Sequence, residues 1–162
     1  MPKRVLVAVD GSAASLEAAR MGVEAARISA GQVRAVYVAD VQRLAHLPGY
    51  SSFPGIKEKL LELMEKEGRL AMGYVYHIAR EAGVPCEVAV LRGDPAQELL
   101  RASDEWPAEL IVLGRVGHSG LAKAILGSIA EKVVRRARVP VLLVPAKGSH
   151  PEAFSGSRSA ST

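Results

Sequence analysis

Apolar and polar positions divide the chain into short continuous apolar runs alternating with longer stretches of helical period. Arg4 to Val9 reads as a strand buried on both faces, because its apolar residues, 5–9, run on without alternation. Asp10-Gly11-Ser12 then supplies a turn and a cap, and a helix is predicted over 13–30. Leu16, Ala19, Val23, Ala26 and Ala30 form its apolar stripe. Gly31 should end it, and Val33 to Ala39 reads as a second strand. The breakers Pro48-Gly49 and Phe53-Pro54-Gly55 make 42–55 a loop.

A long helix is predicted over 56–82, with Ala71, Val75, Ile78 and Ala82 repeating on one face. Glu62 with Lys66, and Glu65 with Arg69, have the favoured acid-before-base spacing. Gly68 and Gly73 weaken its middle, a pattern that suits close packing. Gly83 should cap it, with a third strand over 86–91. Asp94-Pro95 opens a further helix, with Asp94 as cap and Pro95 at the first helical position. Glu109 to Leu113 is a fourth strand. Ser128-Ile-Ala-Glu131 matches a capping box opening a helix to Ala137, and Val141 to Val144 is a fifth strand.

Strands alternating with helices imply a five-stranded parallel sheet covered on both faces. In the order 3-2-1-4-5 the first and fourth strands are neighbours, and ligands of such sheets bind beyond the strand ends where the order reverses. The turns leaving those strands begin at Asp10 and Gly114, the two most distinctive turns in the chain.

Composition narrows the function. The chain has 162 residues, 49% of them hydrophobic, enough for one domain with its own core, here 1–146. The serine- and glycine-rich remainder, 147–162, is expected to be a disordered tail. No apolar run is long enough to span a bilayer and no export signal is visible, so the cytoplasm is the expected location, without membrane attachment. Cys86 is the only cysteine, which excludes an internal disulfide and a cysteine cluster; beside Pro85 it reads as a packed small residue. The formal charge is +4, and Arg135, Arg136 and Arg138 cluster where a helix should end, complementing its dipole. Without interleaved aromatics or a recognised module, no nucleic-acid partner is expected.

Residues 114–128, GRVGHSGLAKAILGS, hold the densest candidate chemistry. They match neither the Walker A pattern nor the dinucleotide fingerprint after the first strand. Gly114 and Gly117 lack a β-carbon and admit a ligand to their amides, while Gly127-Ser128 opens a helix whose free N–H groups attract an anion. Two such sites on an arch of about ten residues suit a chain of phosphates. Ser128 and Asp10 also have purely local readings, as cap and turn residue.

The spacing Gly114-x-x-Gly117-x9-Gly127-Ser128 after Leu-Ile-Val-Leu113 resembles the nucleotide-binding signature of the universal stress protein family. Val5-Leu-Val-Ala-Val-Asp-Gly-Ser12, Val36-Tyr-Val-Ala-Asp40 and Val139-Pro-Val-Leu-Leu-Val144 resemble its opening, second and closing strands, so the likeness spans about 3–146. It implies a Rossmann-like fold akin to the adenine nucleotide alpha hydrolases. It further implies ATP, AMP or ADP as ligand, with Mg²⁺ arriving on the nucleotide. Asp10 would lie by the adenosine moiety, the backbone at Val38 would meet the adenine, and Ala8 would line the crevice. Leu113, Gly114, Gly117, Gly127, Ser128 and Ile129 would complete the ribose and phosphate site. Arg115 and Lys123 are secondary phosphate candidates; His118 lacks a sequence partner for proton transfer. The role implied is regulatory, in the stress response, without a dedicated metal site or catalytic residue. The rivals are a slow ATP hydrolase and a dimeric interaction module with an incidental pocket. The resemblance also implies a homodimer through the edge strand Val141 to Val144, an apolar edge that pairing would cover.

Overall fold

The computed structural model describes residues 1–49, 53–117 and 126–147. Its elements are β1 (Arg4–Ala8), α1 (Ala13–Ile28), β2 (Gln32–Asp40), α2 (Val41–Ala45), α3 (Ile56–Glu81), β3 (Cys86–Gly93), α4 (Pro95–Glu105), β4 (Leu110–Gly114), α5 (Ser128–Arg136) and β5 (Val141–Val144). The strands form one parallel sheet, as the alternating pattern predicted, and they stand in the expected order β3-β2-β1-β4-β5.

Strand periodicity sorts the core into two layers. Val5, Val7 and Val9 face α1 and α3, while Leu6 and Ala8 face α4 and α5. Val5, Leu6 and Val7 are wholly buried, which explains why β1 is apolar without alternation after Arg4. Burying each such side chain contributes about 1.5–3 kcal/mol. The alanines of α1 and its Gly22 bring that helix close: a β-carbon on Gly22 would stand 2.4 Å from Val7 Cγ2. Gly68 does the same for α3, since its β-carbon would lie 2.5 Å from the Tyr37 ring. Gly73 meets nothing within 4 Å, so packing explains only one of the two glycines in α3.

Helix ends differ in detail from the sequence reading. Gly31 was expected to stop α1, but the left-handed residue is Ala30, at φ 50°. The Gly31 amide donates to Ala26 O (2.8 Å) and Ala30 N to Arg27 O (3.2 Å), the paired bonds of a Schellman ending. Position 31 is glycine for another reason: a β-carbon there would come within 2.3 Å of Lys3 O. At α3, Gly83 is the left-handed residue (φ 68°), as expected.

Three further expectations are corrected. The segment 42–55 is not wholly loop, because α2 occupies Val41–Ala45. Asp40 caps it, its Oδ1 accepting from Gln42 N (3.0 Å) and Arg43 N (3.1 Å), and Leu44 is buried. Five residues are too few to display a helical period. Glu65 does not pair along its helix with Arg69 but hydrogen-bonds Arg92 of β3, which holds its carboxyl below the usual range. Strand β3 runs two residues further than predicted, to Gly93. The helix-end arginines Arg135 and Arg136 do occupy the last turn of α5. Most of the serine-rich tail, 148–162, lies outside the described residues.

Candidate functional site

Strands β1 and β4 lie side by side at the point where the strand order reverses. The chain leaves β1 toward α1 on one face, whereas α5 lies on the other, so a crevice opens beyond the strand ends. It has a volume of about 650 Å³. Ala8, Asp10, Val38, Leu113, Gly114, Gly117, Gly127, Ser128 and Ile129 all line it, as does Arg115. Lys123 and His118 lie outside the described residues.

Local chemistry fixes the turn after β1. Asp10 Oδ1 accepts from Ser12 N (2.8 Å), and Ser12 caps α1 by accepting from Ser15 N (3.2 Å). The buried Ser15 hydroxyl accepts from Asp10 N (3.2 Å) and donates to Ser12 O (2.9 Å). Gly11, at φ 84°, takes the left-handed conformation this tight turn needs. The Asp10 carboxylate thereby faces the crevice floor next to Gly117.

Across the crevice, the two feet of the glycine arch are joined. Gly127 N donates to Arg115 O (2.8 Å), and Arg115 N donates to Val144 O of β5 (2.8 Å). The glycines allow this approach. A β-carbon on Gly114 would stand 2.9 Å from Ala14 Cβ, one on Gly117 2.5 Å from Asp10 Oδ2, and one on Gly127 3.3 Å from Arg115 O. These glycines therefore have packing partners within the protein, which sequence spacing alone did not reveal.

The capping box is corrected. Gly127, not Ser128, is the N-cap of α5, and no side chain caps the helix. Glu131 turns instead to Arg135 (2.7 Å). The bond from Gly127 to Arg115 sets Gly127 in extended conformation (φ −68°, ψ 156°) and starts the helix one residue earlier than its cap signal suggests. The Ser128 hydroxyl is thus not committed to capping. The amides of Ser128, Ile129 and Ala130 have no acceptor among the described residues. With the helix dipole they form a partial positive charge at the crevice wall.

Several lining residues escaped sequence reasoning: Asp40, Gln42 and Arg43 around α2, Met64 and Glu67 of α3, Asp94 and Pro95 opening α4, and Lys132 of α5. Asp40 and Asp94 carried a readable signal, because each follows a strand and caps a helix; Asp94 Oδ2 accepts from Gln97 N (3.0 Å). Charge is distributed unevenly. Asp40, Asp94 and Glu67, with Arg43 among them, border the β2–β3 side, while Arg115, Lys132 and the α5 N-terminus border the β4–β5 side. Burial first, then the Glu67 and Asp10 carboxylates, push the Tyr37 hydroxyl up to about 12, so it lines the crevice as a neutral group. Among the described residues no three His, Cys, Asp or Glu side chains gather as a metal site, and no helix is long and apolar enough to cross a membrane. Cys86 begins β3 at the sheet end opposite the crevice, and burial, with Glu87 adding, pushes its thiol up to about 11.

A doubly wound parallel sheet with a glycine-lined crevice at its switch point defines the class: an α/β protein of Rossmann-like architecture. Within that class the chain belongs to the universal stress protein family, whose sequence profile matches residues 1–145. It is similar to a universal stress protein of Methanocaldococcus jannaschii, 38% identical over 142 residues that cover 88% of this chain and 81% of the relative. The fold is that of universal stress protein UspA from Lactobacillus plantarum, with TM-score 0.78, 24% identity, and 88% of this chain and 97% of that one covered. A universal stress protein solved in complex with cAMP is also similar, with TM-score 0.64, 26% identity, and coverage of 90% and 98%.

Proposed function

We propose that this chain is a cytoplasmic, ATP-binding regulator of the stress response that holds an adenine nucleotide across the ends of β2, β1 and β4. The observation that carries the reading is the α5 N-terminus: three amides without a described acceptor, an uncommitted Ser128 hydroxyl and two glycine-lined approaches within one crevice. The relative that binds cAMP gives the ligand class, a purine nucleotide with an anionic phosphate.

The uneven charge of the crevice supports one orientation. The base lies at the β2–β3 side, its polar edge toward the backbone at Val38 and the carboxylates of Asp40 and Asp94. Asp10, at the centre, accepts from ribose hydroxyls. The phosphates lie over Gly114 and Gly117 and against Gly127, Ser128 and Ile129, with Arg115 adding charge. Ala8 and Leu113 form the apolar floor. Mg²⁺ enters with the phosphates, since magnesium keeps most of its water shell and needs few protein ligands. The protein assembles as a homodimer, in which β5 at the sheet edge pairs with β5 of a second copy.

Mass spectrometry of nucleotide released from the purified protein, followed by equilibrium dialysis of the emptied protein against millimolar ATP, tests the reading. Adenine nucleotide should be released and ATP retained. An emptied protein that retains no ATP refutes it.

A further inference from the structure

We propose that Lys132 makes the crevice prefer nucleoside di- and triphosphates over monophosphates, its ammonium pairing with the phosphates beyond the first. The inference rests on the nucleotide reading above and goes past it to which phosphate chain the site selects.

Lys132 lines the crevice from the second turn of α5. It follows Ser128 by four residues, so the two share a helix face. Its Cα lies about 6 Å further along the axis. Helical side chains lean toward the N-terminus, so the lysine stem returns its charge over the first turn, where the unsatisfied amides are. The two cations nearest it on the helix are otherwise placed. Arg135 is held by Glu131 (2.7 Å), and Arg136 lies in the last turn, away from the crevice. Lys132 makes no hydrogen bond or ion pair with a described residue. An exposed lysine with no partner among the described residues, on the wall that carries the helix dipole, can meet an anion.

Position along the crevice gives the selectivity. In strand order the base end is at β2, whereas α5 packs against β5, the strand on the other side of β4, and so stands at the phosphate end of the ligand's path. A monophosphate ends at the glycine amides near the centre. Only a longer phosphate chain continues to the second turn of α5.

The test is calorimetric titration of the full-length parent, K132Q and K132R with ATP and, separately, with AMP. Lys132 is exposed, so thermal melting should show all three folding alike. K132Q should lose roughly fivefold to tenfold in ATP affinity, as expected of a partly solvated charge-assisted bond, and less than about twofold for AMP. K132R should keep most of the ATP affinity, because it keeps the charge. Equal losses for ATP and AMP, or no loss for either, overturn the inference while leaving the nucleotide site standing. A parent that binds neither nucleotide overturns the nucleotide reading, and the inference with it.

Discussion

Replacing Gly117 by alanine tests whether the two turns of the crevice are built against each other. The added β-carbon would stand 2.5 Å from Asp10 Oδ2, while the next atom, Asp10 Cγ, is 3.7 Å away. The closer approach is about 1 Å short of ordinary contact. A carboxylate oxygen is the mobile end of a side chain and can retreat, but this carboxylate also accepts from Ser12 N through Oδ1 (2.8 Å). Retreat therefore costs that bond, about 0.5–1.5 kcal/mol, and loosens the turn that caps α1. Gly117→Ala should destabilise by about 1 kcal/mol, which lowers the melting temperature by roughly 2–4 °C in a chain of this size. The obstruction is a side chain, so Asp10→Ala removes it. In that background Gly117→Ala should cost almost nothing, and the double-mutant cycle should show a coupling close to the single-mutant cost. Denaturant unfolding of all four proteins measures this. Equal costs of Gly117→Ala in both backgrounds would falsify the contact argument, and any loss of nucleotide affinity would then need another cause.

Two substitutions at helix glycine and alanine positions should act in opposite chemical senses yet both stabilise. Ala30→Gly relieves a left-handed alanine and Gly73→Ala strengthens a helix interior facing open space, each by about 0.5–1 kcal/mol in denaturant unfolding; a loss from either refutes its rationale. The folded state favours the protonated Cys86 thiol, pushed up to about 11 from an ordinary 9, and the protonated Tyr37, pushed up to about 12 from 10. Stability should therefore be retained below pH 9 and fall as pH rises from 9 toward 11, with Tyr37 extending the decline toward 12. Cys86→Ser should flatten the first part of that fall, and an unchanged slope between pH 9 and 10 would count against burial as its cause. Leu142→Asp, on the exposed side of the β5 edge, should shift sedimentation toward monomer; an unchanged dimer rejects that interface.

What could be read from the sequence follows the range of the interactions involved. The alternation of strands and helices was legible because residues 5–8 of β1 are continuously apolar and α1, α3 and α4 each begin or end on a local signal: Ser12, Gly83 and Asp94. The crevice was legible because four small residues at fixed spacing follow β4. The cap of α5 was misplaced because the bond that fixes Gly127 comes from Arg115, twelve residues earlier and on the far side of the arch. The packing of Gly117 against Asp10 joins two strands far apart in the chain, and no local pattern encodes it. Helix α2 was hidden by its brevity. Lys132 carries no local signal that sets it apart from the other exposed residues of its helix, and only the tertiary placement of α5 brings it to the crevice.

The bond from Gly127 N to Arg115 O also has a consequence for how such a protein can change. It works as a clasp, closing the peptide between its ends into a ring whose neck is anchored to β5 through Arg115 N and Val144 O. The hold on the sheet is at that neck, through residues on either side of the span it closes. The entropic cost of closing a loop grows slowly with its length, about 0.6 kcal/mol for each doubling. The ring is therefore an exchangeable cassette. New sequences could be grafted between residues 117 and 126 to retune what the crevice accepts, with the scaffold beneath left intact.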